Sequence, residues 1–328
     1  MRKSKRFFSM LIVVCLLLSG CMSEMFESTS DTNTENDSTA VKPEIPEKLQ
    51  AGEGGIPVLE VYNAASGQIE EMDLEEYVTG VVAGEMKNDW PLEALKAQAI
   101  LARTFVLKFC DTKQSRYDDA DISTDVEEAQ AYAPENINES VRQAIEETQG
   151  MVMSADGEYP YAWFFAHAGG MTELPSVALD FNDSDPYYLS VVESPDSDKA
   201  PEDVKEWTAT FTAEEVQQAC TSVGVKIDAV ETVEFGERGE SGRVKTLVVN
   251  GQVVSAPSFR IAIGANKLKS TLIDRIEVAD GKVIFHGSGF GHGVGMSQWG
   301  AYELAEQGKS AEEIVRYYFQ GVDIVELW

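Results

Sequence analysis

The stretch MDLEEYVTGVVAGEMKNDWPLEALKAQAILARTFVLKF, residues 72–109, contains two helical patterns separated by a short polar turn. In the first half, apolar residues recur at the spacing of one helix face, namely Leu74, Tyr77, Val78, Val81 and Val82. Pro91 suits the first turn of a second helix, with Asn88 or Asp89 as its cap. We predict helices over 73–86 and 91–109, and the alanines of the second helix favour close packing between them.

Glu85 occupies the next position on the apolar face of the first helix. The helix could simply end there, with Glu85 in solvent, as is usual for a glutamate. However, the second helix carries Lys96, Gln98 and Arg103, so the two helices together have the composition of a site. Burial would raise the pKa of Glu85 and keep it protonated near neutral pH, as a general acid requires.

The rest of the chain alternates short strands with helices of moderate length, which predicts an α+β fold. Hairpins are expected from IPVLEVYN to QIEEM, within MVMSADGEYPYAWFFA at Asp156 and Gly157, at the NG of residues 250–251 and at the DG of residues 280–281. Further helices are expected over 137–148, 212–223, 297–307 and 311–319. We expect one domain, with subdomains around a groove.

The N-terminus has the pattern of an export signal. Residues 1–20 combine four basic residues with a short apolar run, and Leu18, Ser19, Gly20 and Cys21 match the order of a bacterial lipobox. We therefore expect residues 1–20 to be a signal peptide and Cys21 to be lipidated, on the outer face of the cell membrane; a plain signal peptide or an uncleaved anchor is the alternative. Residues 21–55 are polar and predict a disordered tether, and residues 56–328 form the domain.

The charge of the chain excludes one class of partner. Its formal net charge is −30, and loss of the four basic residues of the signal would bring it to −34. Such a surface repels nucleic acid, so no nucleic-acid partner is expected. Cys110 and Cys220 are too few to form a disulfide framework, and two separate buried thiols are favoured over a pair.

A second distinctive stretch is HGSGFGHGVGMSQWGAYELAEQG, residues 286–308, with glycine at five alternate positions. It fits neither a dinucleotide nor a phosphate-loop motif, and Ser297 lacks the surroundings of a nucleophilic serine. Ser297 instead suits the N-cap of a helix that Gly308 ends. Taken alone, the glycines indicate a tight backbone crossing in which His292 is packed and hydrogen-bonded to main chain.

Two blocks resemble the stage II sporulation protein D family, also called the SpoIID/LytB domain. They are LEEYVTGVVAGEMKNDWPLEALKAQAILARTFVL and GFGHGVGMSQWGAYELAEQGKSAEEIVRYYFQGVDI, with weaker similarity at AWFFAHAGGMTE and DPYYLSVVES. The resemblance spans residues 56–325. It implies a lytic transglycosylase that cuts peptidoglycan glycan strands, preferentially those stripped of stem peptides. Other members of the family are named enhancers of wall amidases, and a wall-binding or amidase-enhancing module without chemistry is the alternative.

The resemblance also implies roles for individual residues. Glu85 would be the essential acid, Arg103 its support, and Gln98 and Tyr188 substrate contacts. With the acid helix alongside, the alternate glycines would form a smooth wall for a glycan strand, and His292 and Gln298 would supply polar contacts near Glu85.

Some members of the family hold zinc near this chain's FFAHAGG, where Phe165 replaces the usual histidine and His167 lies two residues further on. We therefore expect no metal and no cofactor. The expected partners are glycan strands, the membrane through the lipid on Cys21, and a wall amidase. The setting is wall remodelling or sporulation in a Gram-positive cell.

Overall fold

The computed structural model describes residues 40–328, which form a mixed α+β structure. The helices are α1 (Leu74–Glu85), α2 (Leu92–Thr112), α3 (Glu139–Glu146), α4 (Pro175–Ala178), α5 (Glu202–Lys205), α6 (Ala213–Ser222), α7 (Ala256–Ile263), α8 (Gln298–Glu306) and α9 (Ala311–Tyr318). All six predicted helices are confirmed, with small differences at their ends. The short helices α4, α5 and α7 were not predicted.

The strands form several small sheets. They are β1 (Gln50–Ala51), β2 (Pro57–Asn63), β3 (Gln68–Asp73), β4 (Ile122–Ser123), β5 (Met151–Ser154), β6 (Phe164–Phe165), β7 (Glu206–Thr212), β8 (Val233–Phe235), β9 (Thr246–Val249), β10 (Gln252–Ser255), β11 (Ile273–Ala279), β12 (Lys282–Ser288), β13 (Met296–Ser297) and β14 (Asp323–Glu326). The strand orders are β1-β2-β3 with β4 beside β2, β10-β9-β8, β11-β12-β7, β13-β6 and β14-β5. The β2–β4 and β6–β13 pairs are parallel, and the others are antiparallel.

The hairpin expected at Asp156 and Gly157 is wrong. Both residues have the positive φ of a turn, but the turn holds only an isolated bridge between Ala155 and Glu158. β5 pairs instead with β14, and β6 pairs with β13. Pro160 explains the failure, because it lacks the N–H that a strand partner would need.

One hydrophobic core surrounds α1 and α2. The whole predicted stripe of α1 is fully buried, and the alanines of α2 are fully buried with it. Burying a side chain of the size of Val or Leu contributes roughly 1.5–3 kcal/mol, so this face holds α1 firmly in place. The helix α2 also packs against α3, α8, α9 and β5. The position of the last turn of α1 is therefore set by the centre of the domain.

A second hydrophobic core lies within the segment 206–288, which begins with β7 and ends with β12. Phe211 and Phe285 meet edge to face, with ring centroids 6.0 Å apart, and Phe259 packs beside them. The ends of the segment are neighbours, because Glu206 pairs with Ser288 in the β7–β12 ladder. The segment is thus an insertion with its own core.

The predicted tether extends too far toward the domain. Residues 40–55 already lie on the folded structure, where Leu49 is buried and β1 pairs with β2. Ser154 Oγ donates a hydrogen bond to the carbonyl of Val41. Composition missed this contact because three scattered buried residues, Pro43, Pro46 and Leu49, and two strand residues leave little pattern. Residues 21–39, including Cys21, and the signal peptide lie outside the described residues.

Cys110 and Cys220 are free, buried thiols, as favoured from the sequence. Cys110 belongs to the core around α1 and α2, whereas Cys220 belongs to the core of the insertion. Between residues 40 and 328, none of the helices has the length and apolarity needed to cross a bilayer.

Candidate active site around Glu85

Glu85 is the last residue of α1. Met86 follows in an extended conformation, with φ −123°, so the chain turns away immediately after the acid. Because the apolar face of α1 is buried, the same face brings Glu85 to the edge of the core, where its side chain is largely but not completely covered. The carboxyl group therefore lies at a boundary between protein interior and solvent.

A backbone N–H group fixes one oxygen of the carboxyl. The N–H of Ala131 donates to Glu85 Oε1 at 2.6 Å. Gly84 permits this approach, because a Cβ at that position would lie 2.7 Å from the carbonyl carbon and oxygen of Ala131. Sequence reasoning missed Ala131, and the only signal for it was the glycine next to the acid. The bond leaves Oε2 as the oxygen available to a ligand.

The environment favours the protonated form of this acid. Burial raises the pKa of Glu85 above its ordinary value of 4.5, while the Ala131 N–H and the Gln298 amide oppose the rise. Removal from water is the largest of these effects. Glu85 thus keeps its proton to a higher pH than a surface glutamate, which is the property that a proton donor needs.

A groove of about 480 Å³ opens beside the acid. Its lining consists of Ala83, Gly84, Glu85, Met86, Lys87, Asn88, Asp89 and Asn136. Gln298, the first residue of α8, donates from Nε2 to the backbone carbonyl of Glu85 at 3.1 Å. The capping hydroxyl of Ser297 starts this helix, as its sequence indicated. The structure therefore brings together two of the expected site residues, Glu85 and Gln298.

Gln98 does not lie in the groove. Its side chain is fully buried in α2, and neither amide atom has a hydrogen-bond partner among residues 40–328. The small alanines around it bring neighbouring helices close, so the amide is enclosed rather than presented to a ligand. The expected substrate contact at Gln98 is not supported by this placement.

Arg103 interacts with a different glutamate from the one expected. Its guanidinium contacts the carboxylate of Glu75 through Nη2 at 2.7 Å and through Nε at 3.1 and 3.2 Å, and Nη1 donates to the carbonyl of Met151. Glu75 also accepts from the N–H of Gly150 and from the Trp328 indole. Arg103 therefore anchors the first turn of α1, not the carboxyl at its other end. The expected contact of Arg103 with Glu85 is therefore replaced by its contact with Glu75.

Tyr188 is buried, and its hydroxyl already has a partner in the protein. The N–H of Tyr161 donates to this hydroxyl at 2.8 Å, and burial raises the pKa of Tyr188 to about 12. The preceding residue, Tyr187, is exposed to solvent over 62% of its surface. The structure thus places Tyr188 in a supporting position, away from the contacts of Glu85.

His292 lines another cavity, of about 160 Å³, with Asp180 and Arg260. The N–H of Val294 donates to His292 Nδ1 at 3.1 Å. Burial, with nearby Arg260 and Arg243, lowers the pKa of His292 to about 3, so the imidazole is neutral at physiological pH. His292 therefore lines a different cavity from the groove at Glu85, its expected contact near Glu85 stays a prediction, and its hydrogen bond to main chain agrees with the alternative of a packed histidine.

The alternate glycines do not form an open wall either. Gly289, Gly291, Gly293 and Gly295 have positive φ, as the stretch suggested. A Cβ on Gly293 would overlap Arg243, and one on Gly295 would overlap the carbonyl of Trp163. The glycines therefore let the chain pass close to its own interior, and the surface that faces solvent near Glu85 is formed by residues 83–89.

The part of the chain that the structure describes contains no group of three or more His, Cys, Asp or Glu side chains arranged to hold a metal ion. His167 lies near one carboxylate, with Nδ1 3.2 Å from Asp196 Oδ2. That carboxylate also accepts from the N–H groups of Ala168 and Gly169 and from Ser297 Oγ. The cluster joins the FFAHAGG block to the start of α8, and so it supports Gln298.

Comparison with known protein families gives a match over the first of the two sequence blocks. The family described as "SpoIID: Stage II sporulation protein" matches residues 62–154, and a domain of unknown function (DUF8618) matches residues 168–295. Stage II sporulation protein D of Bacillus subtilis (strain 168) is 33% identical over 319 residues, which cover 92% of this chain and 88% of that protein. The chain belongs to the stage II sporulation protein D family.

Two further relatives show the breadth of the family. Stage II sporulation protein D of Bacillus amyloliquefaciens is 34% identical, with 81% of this chain and 78% of that protein covered. The amidase enhancer of Bacillus subtilis (strain 168) is 26% identical, with 75% of this chain but only 40% of that protein covered. The SpoIID match includes Glu85 and Ala131, whereas Gln298 lies beyond both matched domains.

Proposed function

We propose that this protein is a lytic transglycosylase that cleaves the bond from MurNAc to GlcNAc in peptidoglycan strands. The observation that carries the proposal is Glu85, a largely buried acid with a raised pKa at the edge of a groove of about 480 Å³. Membership of the stage II sporulation protein D family supports a role at the cell wall. Glu85 is the groove-lining acid whose pKa is raised by burial, and this chemistry needs one such proton donor.

The proposed reaction uses Glu85 twice. Its Oε2 proton passes to the glycosidic oxygen as the bond from C1 to that oxygen breaks. The C6 hydroxyl of the same muramyl sugar then attacks C1 and closes a 1,6-anhydro ring, and the Glu85 carboxylate takes the hydroxyl proton. No water is consumed, and the acid returns to its starting state. A hydrolase, in contrast, needs a second carboxylate to supply or activate a nucleophile.

The hydrogen bonds around Glu85 suit these steps. The Ala131 N–H holds Oε1, so the protonated oxygen can point into the groove. Gln298 holds the backbone of Glu85 from the opposite element, α8. Both contacts reduce the motion of the carboxyl, and positioning of this kind lowers the entropic part of the barrier.

The direct test is Glu85→Gln, which keeps the size of the side chain and an acceptor for the Ala131 N–H but removes the transferable proton. We expect release of anhydro-disaccharides from stripped glycan strands to fall at least 100-fold, a typical contribution of general acid–base catalysis on the order of 10² or more. Glu76→Gln is the matched control, because Glu76 is an exposed carboxylate on the same helix. Parental turnover by folded Glu85→Gln would refute the proposal, and reducing ends in place of anhydro ends would identify a hydrolase.

A second function is favoured by one observation, the similarity to an amidase enhancer. In that case the groove would bind glycan without cutting it, and a wall amidase would act on the stem peptides. Incubation of the purified protein with intact wall, with and without an amidase, separates the two. Enhancement of amidase activity that is unchanged in Glu85→Gln, without anhydro products from the parent, would support the enhancer.

We also propose that the protein acts on the outer face of the cell membrane, held there by lipid on Cys21. The lipobox order of residues 18–21 supports this position, and a sporulation or general wall-remodelling role in a Gram-positive cell is consistent with the named relatives.

A further inference from the structure

A lysine lies on the rim of the groove, two residues after the acid. Lys87 is exposed, and its Nζ is 5.8 Å from the ring centroid of Trp299. Trp299 is itself held against Trp90, with ring centroids 4.5 Å apart. A cation over an aromatic face is attracted to it, so the ammonium group is held near the groove. Within residues 40–328, Lys87 forms no ion pair with a carboxylate.

Two backbone N–H groups next to Lys87 have no acceptor among residues 40–328. Asn88 Nδ2 is already bonded to the carbonyl of Asn136. The backbone N–H groups of Asn88 and Asp89, in contrast, donate no hydrogen bond inside the described region. Exposed N–H groups of successive residues are suitable donors for an anionic oxygen. The rim thus offers one ammonium group and two backbone donors on the same short segment.

The charge of the groove lining differs from the net charge of the whole chain. The chain carries a formal charge of −30, which repels anionic polymers at long range. In the groove, Glu85 is protonated in its active form, and Lys87 balances Asp89. The groove is therefore near neutral, and Lys87 is its single basic lining residue. An anionic group of the substrate is repelled less by this lining than by the net charge of the whole chain.

We propose that Lys87, together with the N–H groups of Asn88 and Asp89, forms a subsite for the free lactyl carboxylate of a muramyl sugar. This inference rests on the proposed glycan substrate. The lactyl group carries a carboxylate when no stem peptide is attached and an uncharged amide when one is. An ammonium group pairs with the carboxylate and gains little from the amide. Lys87 is thus a specificity-determining residue that distinguishes stripped strands from peptide-bearing ones.

The test measures binding in the Glu85→Gln background, so that no product forms. The probes are two glycan fragments of equal length, one with free lactyl carboxylates and one with these groups converted to primary amides. We expect the Glu85→Gln protein to prefer the free acid, and Lys87→Ala to weaken binding of the free acid about tenfold, the size expected for one partly exposed charge-assisted hydrogen bond. Binding of the amide fragment should not change.

Lys113→Ala is the matched control. Lys113 is also exposed, and its Nζ also lies 5.8 Å from an aromatic centroid, that of Phe109, but it is not part of the groove lining. We expect parental binding of both fragments by this variant. The subsite would be overturned if Lys87→Ala, in the Glu85→Gln background, bound the free-acid fragment as tightly as the Glu85→Gln protein does. It would also be overturned if Lys87→Ala weakened binding of both fragments equally.

The same experiment separates the subsite from the proposed reaction. A preference for the free acid that depends on Lys87, in a protein whose parent releases no anhydro product, would support the subsite while the transglycosylase proposal fails. If the parent releases anhydro products but its preference for the free acid does not depend on Lys87, the transglycosylase proposal is supported and the subsite fails. Lys87→Arg provides a further check, because it keeps the charge and should retain most of the preference.

Discussion

Replacing Arg103 by Met should destabilise the protein rather than remove its chemistry. The guanidinium is fully buried, and the Glu75 side chain is 12% exposed. Without Arg103, the Glu75 carboxylate keeps the Gly150 N–H and the Trp328 indole as donors but loses its positive partner. The first turn of α1 and the segment near Met151 would lose their common anchor.

The expected size of the effect follows from this burial. Removing one partner of a buried ion pair costs about 3–5 kcal/mol, and the donors that remain to Glu75 favour the lower end. A loss of about 3 kcal/mol in the free energy of unfolding lowers the melting temperature of a domain of this size by roughly 5 °C. Because the pair acts as a unit, Glu75→Gln combined with Arg103→Met should cost less than the sum of the single variants.

The assay compares thermal unfolding with cleavage of stripped glycan strands, measured well below the melting temperature of each variant. Lys96→Met is the control on the same helix, since Lys96 is partly exposed and pairs with Glu93 and Glu147. It should lose about 1 kcal/mol or less. For Arg103→Met we expect a lowered melting temperature and near-parental turnover per folded molecule.

The opposite pattern would refute this reasoning. If Arg103→Met melts at the parental temperature and nevertheless loses cleavage, then Arg103 acts on the acid or on the substrate. Its contacts with Glu75 would then contribute little to stability. That result would restore the role that the family resemblance implied.

Two further predictions concern the acid and the anchor. Because burial raises the pKa of Glu85, ionisation of Glu85 destabilises the native state as pH rises through the raised pKa; Glu85→Gln should therefore melt at a higher temperature than the parent at pH 8 and at a similar temperature at pH 4, and a difference that does not grow with pH would contradict the pKa shift. Cys21→Ala should remove the lipid, so that fractionation of cells finds the protein outside the membrane pellet or still carrying its signal; a mature, membrane-bound Cys21→Ala protein would exclude the lipid anchor.

The sequence was most informative where a periodic pattern ends at a polar residue. The stripe of α1 predicted both the helix and the position of Glu85 at the edge of the core. The cap at Ser297 similarly predicted the start of α8. In these cases local spacing is enough to place the residue. The contact of Gln298 with Glu85 was instead expected from the family resemblance.

Contacts between distant segments could not be read in the same way. Arg103 and Lys96 lie on one side of α2, but the partners of each depend on how neighbouring elements pack, and Glu75 is 28 residues away from Arg103. The Ala131 N–H is a backbone group in a polar loop, so no side-chain pattern marks it. For His292, glycine spacing showed a close backbone approach but not which segment is approached.

The insertion at residues 206–288 has a consequence for the order of folding. Its first and last residues are hydrogen-bonded neighbours, and the N–H of Gly289 also donates to the carbonyl of Lys205. Once the insertion has formed its own core, the two flanking segments are already side by side, so the long detour costs the rest of the chain little more loop entropy than a hairpin would. The path along the chain from α1 to the segment that carries Gln298, which is 213 residues, is thereby shortened by the length of the insertion.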